Sequence, residues 1–185
     1  MRINEIFYSL QGEGHQTGRA AVFIRFSGCN LRCTFCDTDF SSFREMSVEE
    51  IVSAATVFPA RYAVLTGGEP ALQADKHLVD ALHGAGFTVA METNGTVLPP
   101  EGIDWLTVSP KRKPVVSACD ELKCIFDGTA RVEDFGIKAR YYYLQPCDSG
   151  HELTNRIITE KCVEYILEHP RWRLSLQTHK LARFK

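Results

Sequence analysis

Apolar residues in this chain come in short runs that break off at glycine or polar residues, and the spacing within each run separates strand from helix. "INEIFYS" (3–9) and "RAAVFIRFSG" (19–28) read as strands flanking the glycine-rich turn "QGEGHQTG", a hairpin-like start whose second strand runs into a cysteine loop. "SVEEIVSAATVF" (47–58) reads as a helix: Ser47 and Glu50 stand at capping-box positions, and Val48, Ile51, Val52 and Ala55 recur at helical spacing. "RYAVLTGGEP" (61–70) reads as a buried strand ending in a glycine turn. "DKHLVDALHGAG" (75–86) reads as a helix with Leu78, Val79 and Leu82 on one face, closed by Gly84 and Gly86. "TVAMETNG" (88–95), "DWLTVSPK" (104–111), "ELKCIF" (121–126) and "ARYYYLQPC" (139–147) are strand-like. A helix over 154–168 with Thr154 as N-cap follows, and "RWRLSLQTHK" (171–180) reads as the last strand.

Strands alternating with helices or loops imply an α/β fold with a mainly parallel sheet, whose functional residues belong at the carboxyl ends of the strands. Ser-Gly-Cys, Thr-Gly-Gly-Glu-Pro, Glu-Thr-Asn-Gly, Ser-Pro-Lys, Gln-Pro-Cys-Asp and Gln-Thr-His-Lys all follow apolar runs, as though one mouth were lined strand by strand. A complete (β/α)8 barrel typically takes ~250 residues. The 185 residues here therefore predict an incomplete, open barrel forming one domain over 1–185.

Composition changes the picture little: 44% hydrophobic and 24% charged residues suit a globular chain, and a formal charge of −2 offers no basic footprint for nucleic acid or an anionic membrane. No apolar stretch reaches the ~18 residues of a membrane span, and the start "MRINEIFYSLQGEG" does not read as a secretory signal, so a cytoplasmic location is expected.

The cysteines change it more. Seven is an odd number, and Cys29, Cys33 and Cys36 form a C-x3-C-x2-C triplet too tight for a disulfide framework. Cys119, Cys124, Cys147 and Cys162 are scattered and read as buried small hydrophobes. Three thiolates suit zinc, copper(I) or an iron–sulfur cluster. Structural zinc normally closes its tetrahedron with protein ligands, and here it would have to recruit a remote histidine such as His15 or His77. A cubane held by three cysteines instead leaves one iron open to a substrate or cofactor. In the "TGGEP" turn (66–70), Gly67 and Gly68 let main-chain groups approach a ligand, and Glu69 can accept from an ammonium.

The triplet, with Phe35 before its last cysteine and the "GGEP" turn after the next strand, resembles the radical S-adenosylmethionine (SAM) superfamily. "EIFYSLQGEG" (5–14), "CDTDF" (36–40), "VSPK" (108–111) and "WRLSLQTHK" (172–180) extend the resemblance, over about residues 3–180, to the 7-carboxy-7-deazaguanine synthase family. The resemblance implies a carbon–nitrogen lyase of queuosine (7-deazapurine) biosynthesis. It would convert 6-carboxy-5,6,7,8-tetrahydropterin to 7-carboxy-7-deazaguanine with loss of ammonia, using a [4Fe–4S] cluster, SAM and Mg2+.

The same resemblance implies the site. Cys29, Cys33 and Cys36 would hold the cluster and Thr38 the Mg2+. SAM would lie against Phe35, Asp37 and Gly68, framed by Ser109, Pro110 and Lys111 and by Gln145, Pro146, Cys147 and Asp148. Leu10, Gln11, Gly12 and Glu13 would meet the pterin, with Arg25 on its carboxylate, Thr66 beside it and Lys185 reaching in from the tail. Thr93 and Asn94 would line the mouth or cap a turn, and His179 and Lys180 would bind substrate or close the barrel end. A homodimer and a flavodoxin- or ferredoxin-type reductant are implied, with no direct nucleic-acid or membrane partner. Two rivals share the cysteines: an activase that makes a glycyl radical on a partner protein, and a non-enzymatic zinc or iron–sulfur binding module.

Overall fold

The computed structural model describes residues 1–36, 38, 42–129 and 131–185. The chain opens with β1 (Arg2–Leu10) and β2 (Ala20–Phe26), an antiparallel pair in which Ile6 faces Ile24 and Phe7 faces Phe23. A two-residue strand that the sequence pattern did not suggest, β3 (Arg44–Glu45), pairs with Arg2 and Ile3 at the outer edge of β1. From β2 onward every strand pairing is parallel. β4 (Tyr62–Gly67), β5 (Thr88–Thr93), β6 (Trp105–Val108), β7 (Ala118–Phe126), β8 (Lys138–Pro146) and β9 (Trp172–Leu174) follow in chain order. Among the described residues the sheet runs β3-β1-β2-β4-β5-β6-β7-β8-β9 without returning on itself, so the barrel is open.

Three longer helices cover the outer face. α1 (Val48–Thr56) carries the expected capping box, the Glu50 amide donating to Ser47 Oγ at 3.2 Å and the Ser47 amide to Glu50 Oε2 at 2.7 Å. α2 (Lys76–Gly84) is capped by Asp75, which accepts from the Leu78 amide at 2.9 Å, and is ended by Gly86, whose φ of +82° suits a residue without a Cβ. Ile51, Leu78 and Leu82 pack there against Ile3, Ile24, Leu65 and Met91. α3 (Glu152–Glu168) buries Ile158 and Cys162 against Leu122, Leu144 and Trp172 on β7–β9. Cys124 and Cys162 are buried small hydrophobes as expected, while Cys119 is half-buried against this second core.

Two element boundaries differ from the pattern. α3 starts two residues before Thr154, with His151 at its N-cap, because Asp148 and Ser149 order the preceding turn through Gly150 and Asn155. The expected strand over 171–180 stops at Leu174. The Ser175 amide still donates to the Leu144 carbonyl at 2.8 Å, after which the chain turns off the sheet and enters a short helix, α4 (Thr178–Ala182). Among the described residues no helix is long and apolar enough to cross a membrane.

Candidate active site

The carboxyl ends of the parallel strands surround a cavity of about 570 Å³. Two loops build its upper wall. The cysteine loop leaves β2 through Gly28, and the Gly67-Gly68-Glu69 turn leaves β4 directly against it. The Gly68 amide donates to the Phe26 carbonyl and the Glu69 amide to the Gly28 carbonyl, both at 3.0 Å. This approach requires glycine: a Cβ on Gly68 would lie 1.9 Å from the Gly28 carbonyl oxygen. Cys29, Cys33 and Cys36 all face the cavity with free thiols, together with Phe35 and Thr38. Burial pushes the Cys29 thiol up, against a hydrogen bond from the Leu31 amide.

Glu69 lies behind the cavity wall. It is fully buried and accepts from Thr93 Oγ1 at 2.6 Å, the Asn94 amide at 2.7 Å and the Ala71 amide at 3.1 Å, tying the β4 and β5 loops together. Asn94 extends that tie to the cysteine loop by donating to Asn30 Oδ1 at 3.1 Å, while its own Oδ1 closes a turn through Thr96. Thr93 and Asn94 thus do both things foreseen for them, lining the cavity and capping the turn.

The floor is polar and densely bonded. Glu13 pairs with Lys123 and accepts from Gln145 Nε2 at 3.0 Å and Gln177 Nε2 at 2.9 Å. Burial alone would raise the Glu13 pKa, but the Lys123 charge and the hydrogen bonds from Lys123 and Gln177 overcome it and hold the carboxyl well below the usual range. Burial likewise works against charge on Lys123, and the carboxylates of Glu13, Glu92 and Glu121 reverse it. Glu92 joins two residues expected at the substrate, accepting from Gln11 Nε2 at 2.9 Å and Thr66 Oγ1 at 3.0 Å. Glu121 receives the His15 amide at 2.9 Å, with Gly14 packed where a Cβ would meet its carboxylate.

The tail spans the gap between the first and last strands of the open barrel. Thr178 donates to the Gly12 carbonyl through its amide at 2.9 Å and its hydroxyl at 2.8 Å, and Ser175 Oγ accepts from the Gly14 amide at 3.0 Å. His179 and Lys180 line the cavity, and Lys180 donates to Asp148 at 2.7 Å. Lys111, held by the Ser109 carbonyl at 2.9 Å, is brought down to about 8 by burial and by the nearby Lys123 charge.

Of the residues singled out in the sequence, Leu10, Gln11, Gly12 and Glu13 line this cavity, as do Arg25, Thr66, Gly68 and Lys185. Ser109, Lys111, Gln145, Pro146, Cys147 and Asp148 line it from the later strands. Pro110 is buried outside the wall, and Asp37 lies outside the described residues. Sequence inspection gave no role to Glu92, Lys123 and Gln177, although Glu92 and Gln177 stand in two of the stretches expected to line the mouth. Alternation carried the signal for the first two: Met91, Leu122 and Cys124 belong to the outer cores, so Glu92 and Lys123 must turn inward.

Among the described residues no three His, Cys, Asp or Glu side chains converge on one ion-sized position. Three soft thiols of one loop, all facing a cavity, fit an iron–sulfur cluster whose remaining iron opens onto that cavity. A mainly parallel open barrel bearing this triplet at the mouth after its β2 strand defines the radical SAM class, and the Radical SAM superfamily profile matches residues 23–110. Within that class, the chain is 50% identical over 186 residues to the 7-carboxy-7-deazaguanine synthase of Bacteroides thetaiotaomicron, covering 97% of this chain and 96% of that protein. It is 48% identical to the synthase of the same name from Bordetella pertussis, covering 96% of each. The crystal structure of QueE from Escherichia coli superposes with a TM-score of 0.74 at 28% identity, covering 95% of this chain and 92% of that one. The chain belongs to the 7-carboxy-7-deazaguanine synthase family. It is thus a radical SAM enzyme whose cofactors are a [4Fe–4S] cluster, SAM and Mg2+.

Proposed function

We propose that this enzyme converts 6-carboxy-5,6,7,8-tetrahydropterin to 7-carboxy-7-deazaguanine, contracting the reduced ring and releasing ammonia. The observation that carries the proposal is the single cavity in which the three-thiol loop stands opposite Gln11–Glu13, Thr66, Glu92 and Arg25. When bound, the cluster and SAM supply a 5′-deoxyadenosyl radical, and the protein's part is to position the pterin and exclude water. Glu92, already oriented by Gln11 and Thr66, presents carboxylate lone pairs to the N–H edge of a pterin. Arg25 offers a planar guanidinium to the substrate carboxylate. Thr38, beside Cys36, offers a hard hydroxyl oxygen of the kind Mg2+ accepts when water and substrate oxygens complete its shell. Phe35, Gly68, Ser109 and Lys111, with Gln145, Pro146, Cys147 and Asp148, form the wall left for SAM.

The chain acts as one domain over 1–185, in the cytoplasm, where cysteines outside the cluster stay reduced. It works as a homodimer, which gives exposed sheet edges a partner, and takes its low-potential electron from a flavodoxin or ferredoxin. Mass spectrometry of an anaerobic reaction tests the proposal, with reconstituted protein, SAM, Mg2+, a reductant and 6-carboxytetrahydropterin. The expected product has the mass of 7-carboxy-7-deazaguanine. Deoxyadenosine without that product would reject the substrate, and neither compound from a cluster-loaded sample would reject the activity.

A further inference from the structure

The end of the cavity assigned to the substrate carboxylate is organised by a residue outside its wall. Glu5 lies directly opposite Arg25 in the β1–β2 register, and its Oε1 accepts from Arg25 Nε at 3.0 Å. Its other oxygen, Oε2, pairs with the Lys185 ammonium. Arg25 and Lys185 line the cavity, whereas Glu5 does not. We propose that Glu5 is a positioning residue for the carboxylate end of the substrate: it aims the Arg25 guanidinium and holds Lys185 beside it. The proposal rests on the pterin-carboxylate reading above.

Three features support it. The bond to Glu5 uses only Nε, so the two terminal nitrogens of Arg25 remain as a fork for a carboxylate, the bidentate geometry to which a guanidinium is suited. The Arg25 stem is threaded where nothing larger than glycine fits, since a Cβ on Gly67 would lie 2.7 Å from Arg25 Cγ, and the guanidinium rests over the Phe7 ring at 5.5 Å. A side chain already confined at stem and face needs only one more contact to fix its direction, and Glu5 supplies it.

The second arm follows the period of a strand. Glu5, Phe7 and Ser9 point from the same face of β1, and each touches Lys185: Glu5 through its carboxylate, Phe7 with its ring 4.6 Å from the ammonium, and Ser9 by donating to the main-chain oxygen of Lys185 at 2.5 Å. One carboxylate between Arg25 and Lys185 keeps the two cations from repelling each other out of the mouth. Arg25 and Glu5 are 27% and 30% exposed, so the contact is sheltered enough to orient the guanidinium without the cost of a deeply buried pair.

The test compares wild type, Glu5→Ala and Glu5→Gln as cluster-loaded protein. It measures kcat and KM for 6-carboxytetrahydropterin and the Kd for the same pterin with its carboxylate replaced by a neutral carboxamide. Misdirecting one bidentate donor should raise KM in Glu5→Ala roughly tenfold with kcat within about twofold. Glu5→Gln keeps an oxygen acceptor for Arg25 Nε and should recover KM to within about threefold of wild type. The carboxamide should bind all three proteins alike. A Glu5→Ala KM equal to or below wild type would overturn the proposal, because Glu5 would then only compete with the substrate for Arg25. Equal loss of affinity for both pterins would overturn it as well, as would a Glu5→Gln variant no better than Glu5→Ala. Failure of the underlying substrate reading shows separately, as absence of turnover in the wild type.

Discussion

Replacing Gly68 with alanine should cost the enzyme its cluster site rather than its backbone freedom, since Gly68 does not sit at positive φ. The added Cβ would stand 1.9 Å from the Gly28 carbonyl oxygen, 2.5 Å from its carbon and 3.2 Å from the Cys29 nitrogen. All three are main-chain atoms, so no side chain can swing away, and the two loops must separate by more than 1 Å to reach ordinary contact. That separation breaks the Gly68-to-Phe26 and Glu69-to-Gly28 hydrogen bonds and leaves their groups partly unpaired, a loss of about 3 kcal/mol at ordinary costs for buried main-chain groups. For a chain of this size it corresponds to a fall in Tm of roughly 6–12 °C. Because Cys29 follows Gly28 directly, iron and sulfide content after anaerobic reconstitution should fall with it. Thermal melts and iron analysis read the two effects separately. Wild-type Tm and iron content in Gly68→Ala would refute the reasoning, since they would mean that the loops are not held at the separation described here.

Lys123→Met leaves the Glu13 carboxylate buried without its cation and should destabilise the protein by about 3–5 kcal/mol, whereas the Lys123→Met/Glu13→Gln double variant should recover much of that loss in denaturant unfolding. Cys33→Ala should abolish both cluster and turnover, as read by iron content and product formation, because two thiolates do not hold the same irons. Thr38→Ala should keep the cluster and SAM cleavage while weakening the response of turnover to Mg2+. The hydrogen bond from Lys180, with those from Gly150 and Asn155, holds the Asp148 carboxyl well below its ordinary 3.8. Its contribution is therefore complete above that pH and is lost as the pH falls further. Asp148→Asn should accordingly show a smaller fall in Tm between pH 6 and pH 3 than wild type.

What the sequence determined by itself is local. The cysteine triplet, the Ser47–Glu50 box, the closing glycine of α2 and the hairpin of β1 and β2 depend on residues a few positions apart, so spacing alone reveals them. The order of polar strand ends likewise announced one mouth, because parallel strands place all their carboxyl ends together. Inward alternation marked Glu92 and Lys123 as facing the barrel, yet it says nothing about what lies across the lumen. Only the tertiary structure joined Glu92 to Gln11, 81 residues away, Lys123 to Glu13, 110 away, and Gln177 to Glu13, 164 away. It also gave two stretches their surroundings. Glu69 binds Thr93, Asn94 and Ala71 because the turn that carries it is pressed against two other loops. The segment after Leu174, read in the sequence as more strand, leaves the sheet beyond Ser175: Ser175 Oγ accepts from the Gly14 amide and Thr178 donates to the Gly12 carbonyl, which draws the chain across the barrel's gap.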